Sequence, residues 1–279
     1  MRAAAIQLNS SVDKARNLEV AGGLVAAAAE NGAELVVLPE KWNLLGGGAE
    51  LAAGAEEVES GPTIAAARDW ARDLGIHLVA GSISERVEGE ERLFNTSCLL
   101  DPEGEIVATY RKIHMFDVDV GGVRYRESDA EQPGEQIVRG EVAGVGVGLT
   151  ICYDLRFPEL YRILAVEGAR IITVPSAFTV TTGRDHWEVL LRARAIENQA
   201  FVIAADQYGE APPHYSSYGR SLIVDPWGVV LAQAADEECF VAAELDLGRQ
   251  DEIRATLPSL ANRRPDSYRW PDPVEAGGR

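Results

Sequence analysis

The chain contains a weak internal duplication, and this feature constrains the fold most strongly. Residues 32–39 (GAELVVLP) are echoed by residues 168–175 (GARIITVP), 136 positions later. Residues 97–104 (SCLLDPEG) are echoed by residues 221–228 (SLIVDPWG), 124 positions later. Two matched blocks in the same order indicate two similar halves, and two copies are too few for a solenoid. We therefore predict one duplicated domain over residues 1–257.

Each half reads as strand, helix, strand, helix and then a hairpin whose Asp-Pro-x-Gly segment suits a type I turn. Strand–helix–strand units favour parallel pairing and hairpins favour antiparallel edges, so we predict mixed α/β sheets stacked face to face with helices outside. The tail over residues 258–279, rich in Pro and Arg, is predicted to be irregular. The predicted helices are Asp13–Asn31, Pro62–Leu74, Phe157–Gly168 and Arg184–Gln199.

Composition narrows the class of partner and the cellular setting. The net charge of −18 argues against nucleic acid or an anionic membrane as a partner. No apolar run approaches the roughly 20 residues of a membrane span, and the N-terminus reads as a first strand rather than a signal peptide. Three widely spaced cysteines give neither a disulfide framework nor a metal pattern. We expect a reduced, cytoplasmic protein.

Three predicted strands end at side chains that can perform chemistry. Ligands and catalytic groups in open α/β sheets collect at the carboxyl ends of strands. A thiol at such an end, facing a helix that begins near Phe157, is favoured as thiolate by the helix dipole. A thiol, a carboxylate and an amine can act as nucleophile, base and electrostatic stabiliser. The three junctions are Cys152 after Val142–Ile151, Glu40 after Glu34–Pro39 and Lys112 after Glu105–Arg111.

Each of these residues also has an ordinary structural explanation. Free cysteine is among the most buried residue types, so a structural role for Cys152 is equally consistent with its position. Cys98 and Cys239 lie inside predicted strands without charged neighbours, and for them we predict a structural role. Glu40 and Lys112 could be solvated loop charges. Against this, Glu40 directly follows an apolar strand, an unusual place for an idle charge.

His114 raises two further possibilities. It could form a Cys–His pair with Cys152, or a metal site with Asp117 and Asp119. Neither spacing is specific, and we predict a loop histidine held by a structural hydrogen bond.

Arg156 lies four residues after the candidate nucleophile. It could line the same pocket, or it could form a surface ion pair with Asp154 or Glu159. The sequence does not separate these two interpretations.

Over roughly residues 1–270, the chain resembles the nitrilase superfamily of carbon–nitrogen hydrolases. The branch it resembles most is that of omega-amidases and deaminated-glutathione amidases. Three segments match the signatures of a Glu-Lys-Cys triad: residues 38–40 (LPE), 110–114 (YRKIH) and 152–159 (CYDLRFPE). Weaker matches are residues 95–97 (NTS), 126–128 (RES), 175–178 (PSAF), 186–187 (HW), 192–198 (RARAIEN) and 225–228 (DPWG).

The resemblance implies a four-layer αββα sandwich and a set of site residues. Glu40 would be the general base, Lys112 the stabiliser and Cys152 the nucleophile. The supporting residues implied are Glu127 as a second pocket carboxylate and Tyr153 as a backbone N–H donor to the oxyanion. The substrate-binding residues implied are Arg156, Phe116 and Phe178. The resemblance implies no metal or cofactor. It does imply a homodimer or larger oligomer that forms through the helices near residues 157–168 and 184–199.

The implied activity is hydrolysis of an ω-amide of a small carboxylic acid through a cysteine thioester, with release of ammonia. The far carboxylate of the substrate would be held by Arg156. Two departures from the family pattern lie near the expected pocket mouth, namely Lys41 and the Gly121-Gly122-Val123 stretch. Alternatives are a nitrilase, an N-carbamoyl amidohydrolase, or a scaffold of the same fold without turnover.

Overall fold

A computed structural model describes residues 1–211 and 215–269 of the chain. The strands are β1 Arg2–Gln7, β2 Leu35–Val37, β3 His77–Val79, β4 Ile83–Glu85, β5 Phe94–Leu100, β6 Ile106–Arg111, β7 Asp117–Val120, β8 Val123–Arg126, β9 Arg139–Val142, β10 Val145–Leu149, β11 Ile171–Ser176, β12 Phe201–Asp206, β13 Tyr208–Ala211, β14 Tyr215–Tyr218, β15 Leu222–Val224, β16 Val230–Gln233 and β17 Cys239–Glu244. The helices are α1 Lys14–Glu30, α2 Gly48–Gly54, α3 Pro62–Leu74, α4 Pro158–Val166, α5 Val180–Asn198 and α6 Leu247–Thr256. Short 3₁₀ helices cover Glu127–Asp129, Cys152–Arg156 and Pro265–Ser267.

Two mixed sheets form the framework. The first has the order β17-β1-β2-β3-β5-β4 with β6 added to β5, and the second has the order β16-β15-β12-β11-β10-β9. Strands β1, β2 and β3 run parallel in the first sheet, as β10, β11 and β12 do in the second. The remaining pairs are antiparallel. The predicted mixed sheets are therefore confirmed.

The side-chain alternation of β1 shows how the layers stack. Ala3 and Ala5 join a core that also contains residues of the second sheet and of α4 and α5, and β1 contacts β12, so this face of the first sheet packs on the second sheet. Ala4 and Ile6 point the other way, into a second core shared with the helices α1 and α3. Helices α4 and α5 pack against the second sheet. The result is helix, sheet, sheet and helix, the predicted α/β sandwich.

The duplicated blocks occupy equivalent places in the two halves. Residues 32–39 supply β2 and residues 168–175 supply β11, the central parallel strands of the two sheets. The Asp-Pro-x-Gly segments close the β5–β6 and β15–β16 hairpins. Gly104 N–H donates to Asp101 O, and Gly228 N–H donates to Asp225 O, each at 2.9 Å. The duplication in sequence is therefore a duplication in structure.

The predicted single strand over Val142–Ile151 is wrong. The backbone turns at Ala143 and Gly144, which have φ values of 47° and 79°, and β9 pairs with β10 as a hairpin around them. Two consecutive left-handed residues make the turn that matches the twist of an antiparallel pair. The apolar run concealed this turn because alanine and glycine interrupt hydrophobicity only weakly.

Three of the four predicted helices agree within two residues at each end, and the fourth begins earlier. Helix α5 starts at Val180 instead of Arg184, with the Gly183 N–H donating to Thr179 O at 2.7 Å. The Thr and Gly residues of this first turn are weak helix formers, so tertiary contacts decide its start. The predicted irregular tail is described only to residue 269, where it forms turns and one 3₁₀ helix. The part of it beyond residue 269 lies outside the described residues.

Within the described part of the chain, no helix is both long enough and apolar enough to cross a bilayer.

Candidate active site

The three residues predicted at strand ends meet at one cavity. Glu40 lies three residues beyond β2, Lys112 follows β6, and Cys152 begins the 3₁₀ helix beyond β10. All three line a cavity of about 450 Å³. The stacking of the two sheets brings these ends together, since Glu40 and Lys112 come from the first sheet and Cys152 from the second.

Glu40 is held as a hydrogen-bond acceptor on both carboxylate oxygens. Its Oε1 accepts from Asn95 Nδ2 at 2.7 Å and from Lys112 Nζ at 3.1 Å. Its Oε2 accepts from the Ala177 backbone N–H at 2.9 Å. The residue is only 4% exposed. These donors fix the carboxylate in one orientation.

Lys112 lies between two carboxylates. Besides Glu40, it donates to both oxygens of Glu127, at 2.8 and 2.9 Å, while the Phe116 N–H donates to Glu127 Oε2 at 2.6 Å. Burial alone would lower the pKa of Lys112, but the charges of Glu127 and Glu40 outweigh burial and raise it well above its ordinary value. Lys112 is therefore a permanent cation.

The pKa of Glu127 moves the other way. Burial opposes ionisation, but the charges of Lys112 and Lys41 outweigh it and lower the pKa of Glu127 to about 2. Glu127 is thus an anion that anchors the ammonium of Lys112.

The Cys152 thiol is buried against Glu40. Burial raises the pKa of Cys152 well above its ordinary value; the charge of Glu40 and a hydrogen bond with it raise the pKa further, against the opposing charge of Lys112. The expected stabilisation of a thiolate by a helix N-terminus is therefore wrong. The short 3₁₀ turn supplies too little dipole to offset burial and a neighbouring anion. The resting form is a thiol whose proton faces a carboxylate.

The loop that carries Cys152 is shaped by Asp154, a residue that the sequence did not single out. Its Oδ2 accepts from Ile151 N–H at 2.8 Å and from Tyr110 Oη at 2.7 Å. Cys152 itself has a φ of 48°, a conformation that non-glycine residues seldom adopt. The Asp154 hydrogen bonds hold this loop in its strained form. The only signal in the sequence was an acidic residue in the first turn after the cysteine.

His114 is the structural histidine that its position predicted. Its Nδ1 lies 2.7 Å from Asp154 Oδ1, and its ring stacks on Phe157 with a centroid distance of 3.5 Å. It is thus paired with Asp154 rather than with Cys152. Among the described residues, no group of three or more His, Cys, Asp or Glu side chains could hold a metal ion.

The other two cysteines lie in strands, as predicted. Cys98 is fully buried in β5, and burial raises its pKa to about 12. Cys239 is partly buried in β17, and neither residue lines the cavity.

The predicted substrate-binding residues divide into two groups. Phe116 and Phe178 line the cavity, as does Tyr153, the predicted backbone donor. Arg156 is not among the lining residues; its guanidinium lies 5.2 Å from the centroid of the Phe178 ring, and its Nη1 lies 3.2 Å from His186 Nδ1. Arg156 therefore backs the aromatic wall from outside.

The alternative prediction for Arg156, a surface ion pair, is also wrong. Within residues 1–211 and 215–269, it forms no ion pair with Asp154 or Glu159. Asp154 is buried and occupied by His114 and Tyr110, so its oxygens are not offered to Arg156.

Two cations missed by the pocket prediction line the cavity. Arg124 and Arg126 come from the β7–β8 hairpin, whose turn is formed by Gly121 and Gly122 with φ values of 62° and 78°. This accounts for the unusual Gly121-Gly122 stretch, since two left-handed residues close a tight hairpin. Lys41, which the sequence placed near the pocket mouth, lines the cavity as well.

Known proteins share both the fold and the sequence of this chain. The Carbon-nitrogen hydrolase family matches residues 2–255. The omega-amidase NIT2 of Danio rerio is 40% identical over 268 residues, which cover 96% of this chain and 96% of that protein. The C. elegans NitFhit protein superposes with a TM-score of 0.89 and 36% identity over 96% of this chain, which spans 66% of the NitFhit chain. An amidase from Nesterenkonia sp. AN1, solved after Michael addition of acrylamide at its active-site cysteine, superposes with a TM-score of 0.77 and 30% identity, covering 92% of this chain and 98% of that one.

Fold and similarity together define a hydrolase of carbon–nitrogen bonds. The chain belongs to the Carbon-nitrogen hydrolase family, within the nitrilase superfamily. The resemblance predicted from the sequence motifs is confirmed, and the alternative of a scaffold without turnover is set aside in favour of an amidase-type enzyme.

Proposed function

We propose that this protein is an ω-amidase that hydrolyses the terminal amide of a small carboxylic acid through a Cys152 thioester. One observation carries the proposal: the buried Cys152 thiol lies in one cavity with Glu40, whose carboxylate is fixed by Lys112. Nucleophile, base and cation are thus within reach of a single reacting carbon. Similarity to the omega-amidase NIT2 of Danio rerio supports the same class.

In the proposed reaction, Glu40 accepts the thiol proton as Cys152 attacks the amide carbon. The oxyanion is stabilised by the Lys112 ammonium and by the Tyr153 N–H, which lies in the first turn of a 3₁₀ helix where backbone donors lack intrahelical partners. Each such donor contributes on the order of 3 kcal/mol to the transition state. Glu40 then returns the proton to the leaving ammonia, and a thioester remains.

The second half of the reaction reuses the same base. Glu40 takes a proton from a water molecule that attacks the thioester, the bond from carbon to the Cys152 sulfur breaks with release of the carboxylic acid, and Glu40 returns the proton to the sulfur. Lys112 cannot substitute as base because the charges of Glu127 and Glu40 keep it protonated. The division of roles follows from the opposite environments of these groups, and no step needs a metal or cofactor.

The second part of the proposal concerns the residue that binds the far carboxylate of the substrate. Three of the four cations that line the cavity are occupied: Lys112 by Glu40 and Glu127, Lys41 by Glu131, and Arg126 by Asp119 and two backbone carbonyls. We propose that Arg124 binds the far carboxylate of the substrate.

Arg124 is suited to this role because its own contacts are weak. It is largely exposed, and its Nε lies 3.9 Å from Asp119 Oδ1, a distance too long for a hydrogen bond. A guanidinium can bind a carboxylate in a bidentate manner. A carboxylate at the mouth and an amide at Cys152 would orient an ω-amide with its reactive end inward. Candidate substrates are the α-keto amides of glutamine or asparagine, or a deaminated peptide of similar charge.

We also propose that the protein is a homodimer in a reducing, cytoplasmic setting. Ile163 and Val166 on α4 and Val189 on α5 are large apolar side chains exposed to solvent on the two helices predicted to associate. The three free cysteines suit a reducing compartment.

Ammonia release from a substrate panel tests the proposed activity. The panel contains ω-amides with a far carboxylate, neutral amides of equal length, nitriles and N-carbamoyl compounds. We expect the highest kcat/KM for the carboxylate-bearing ω-amides. Preference for a nitrile or an N-carbamoyl compound would refute the ω-amide assignment, and release from none of them would refute the proposed activity.

A further inference from the structure

Lys41 and Glu131 form a buried pair of an ammonium and a carboxyl group in the wall of the same cavity. The Lys41 ammonium contacts Glu131 Oε1, and the two side chains are only 9% and 1% exposed. Both residues line the cavity together with Glu40, Lys112 and Glu127. The proposed reaction assigns no task to this pair. Burying an ammonium and a carboxyl group away from water is costly, so their presence at this place calls for a role.

The two residues reach the pair from segments already committed to the site. Lys41 directly follows Glu40, has a φ of 51° and donates its backbone N–H to Ser82 Oγ at 3.2 Å. Glu131 lies one turn after Glu127 and donates its N–H to Glu127 O at 3.0 Å. Residues four apart in such a turn lie side by side. The pair therefore connects the segment of Glu40 with the segment of Glu127.

The two carboxyl oxygens of Glu131 have different surroundings. Oε1 contacts Lys41 and accepts from Ser84 Oγ at 3.2 Å. Oε2 is buried and, among the described residues, has no hydrogen-bond donor. An unpaired carboxylate oxygen away from water is unfavourable, whereas a protonated oxygen can donate to a neighbouring anion.

That neighbouring anion is Glu127. Burial raises the pKa of Glu131; Lys41 opposes the rise, and the charge of Glu127 together with a hydrogen bond between the two carboxyl groups adds to it. Glu127 is the ionised partner, because Lys112 and Lys41 lower its pKa to about 2. The groups that face Glu131 are thus Lys41 from the loop after β2, Ser84 from β4 and Glu127 from its own turn.

We propose that Lys41 and Glu131 are a positioning pair in which Glu131, as a neutral acid, donates its Oε2 proton to Glu127 and so holds Glu127 against Lys112. This inference rests on the proposed role of Lys112 in catalysis. With Glu131 neutral, the two cations Lys41 and Lys112 balance the two anions Glu40 and Glu127. Loss of the Glu131 proton would place a third anion beside Glu127, displace it and loosen the Lys112 ammonium.

Glu131→Gln is the decisive variant because its amide donates as the acid does but cannot ionise. We expect its kcat near pH 7 to stay within about threefold of the wild-type value. Wild-type kcat falls on the alkaline side as Glu131 ionises, so the alkaline limb of the variant is expected to move to higher pH. An alkaline limb at the same pH in both proteins overturns the proposal.

Glu131→Leu removes both the carboxyl proton and the contact with Lys41. We expect kcat to fall at least about tenfold while KM stays within about twofold, as for loss of a group acting on the transition state only. Glu56→Leu is the matched control, since Glu56 is also a buried carboxylate paired with a lysine, Lys14, but it lies outside the cavity lining. The control is expected to lower Tm and to keep kcat and its pH profile. Full kcat in Glu131→Leu also overturns the proposal.

The pH dependence of Tm gives a readout that does not need turnover. When folding raises the pKa of a carboxyl group, the folded state loses stability as the pH rises above the ordinary glutamate pKa of about 4.3. Wild-type Tm is therefore expected to fall relative to that of Glu131→Gln as the pH rises from this value. A constant difference overturns the positioning pair, whereas absence of ammonia release by the wild type refutes only the proposed function.

Discussion

The Nζ of Lys112 donates a hydrogen bond to Oε1 of Glu40 at 3.1 Å, and both groups are buried. The contact fixes the position of the Glu40 carboxylate, and the charges of Glu127 and Glu40 keep the Lys112 ammonium protonated. A base that is held in place beside the nucleophile before substrate arrives needs no rearrangement in the first step. The predictions below follow from this arrangement.

Cys152→Ala is expected to abolish turnover, with a loss of at least about 10⁴-fold in kcat, because the attacking atom is removed. The change removes little volume, so the folded state and its Tm should remain close to those of the wild type. Ammonia release and thermal unfolding measure the two effects. Cys98→Ala and Cys239→Ala are controls outside the cavity lining and are expected to retain activity. A dead control with an active Cys152→Ala would show that the nucleophile is misassigned.

Activity is expected to survive exhaustive EDTA treatment and to vanish with a thiol alkylator. The reason is that every proposed step uses a side chain or a backbone N–H of the chain itself. Ammonia release before and after each treatment measures this, with mass spectrometry locating the alkylated cysteine. Loss of activity to the chelator and recovery with zinc would contradict the thiol mechanism.

Glu127→Gln is expected to destabilise the fold by an amount that depends on pH. The pKa of Glu127 in the folded state is lowered to about 2. Its ionisation therefore stabilises the fold at pH values above the ordinary pKa of a carboxyl group, and this contribution is lost as the pH falls toward 2. Breaking such a buried pair costs on the order of 3–5 kcal/mol. The free energy of unfolding from urea titrations at neutral pH and at pH values below 4 measures it. A difference that does not shrink on acidification would contradict the ion pair.

Arg124→Gln is expected to raise KM about tenfold for a carboxylate-bearing ω-amide, the equivalent of roughly 1.4 kcal/mol. The KM of a neutral amide of equal length should change little, since it lacks the group that Arg124 binds. Arg156→Gln is the matched control, an arginine near the cavity but outside its lining. Equal effects of Arg124→Gln on both substrates, or a larger selective effect of Arg156→Gln, would place the far carboxylate elsewhere.

The wild-type protein is expected to have the mass of a dimer in light scattering at micromolar concentration. Val189→Asp, on the exposed face of α5, is expected to shift it toward monomer because a carboxylate is depleted from the core of a protein interface. Val107→Asp, at an exposed site on β6, is the control and should leave the mass unchanged. A wild-type monomer would refute the proposed association.

Much of the architecture was readable from the sequence because it depends on local signals. Repeated apolar blocks predicted β2 and β11, and the Asp-Pro-x-Gly segments predicted two hairpins. Glu40, Lys112 and Cys152 were identified because each follows a strand. Their contacts in one cavity are as expected for strand ends that meet, although their catalytic roles stay a prediction.

The errors arose where a local pattern had more than one solution. The apolar run before Cys152 concealed the turn at Ala143 and Gly144. Arg156 was placed in the pocket from its spacing alone, whereas the course of the 3₁₀ helix directs it behind Phe178. The thiolate was expected from helix position, but burial and the Glu40 charge decided the protonation of Cys152.

The sequence by itself determined the strands, most of the helices and the three strand-end residues, because hydrophobic periodicity and turn chemistry act over a few neighbouring residues. Only the tertiary structure decided which charges became partners. Lys41 and Glu131 are 90 positions apart, and Arg124 reaches the mouth only through a hairpin folded over the cavity. Pairing, burial and the resulting pKa values depend on which segments the stacked sheets bring within a few ångströms of each other. The spacing of residues along the chain does not determine these distances between segments.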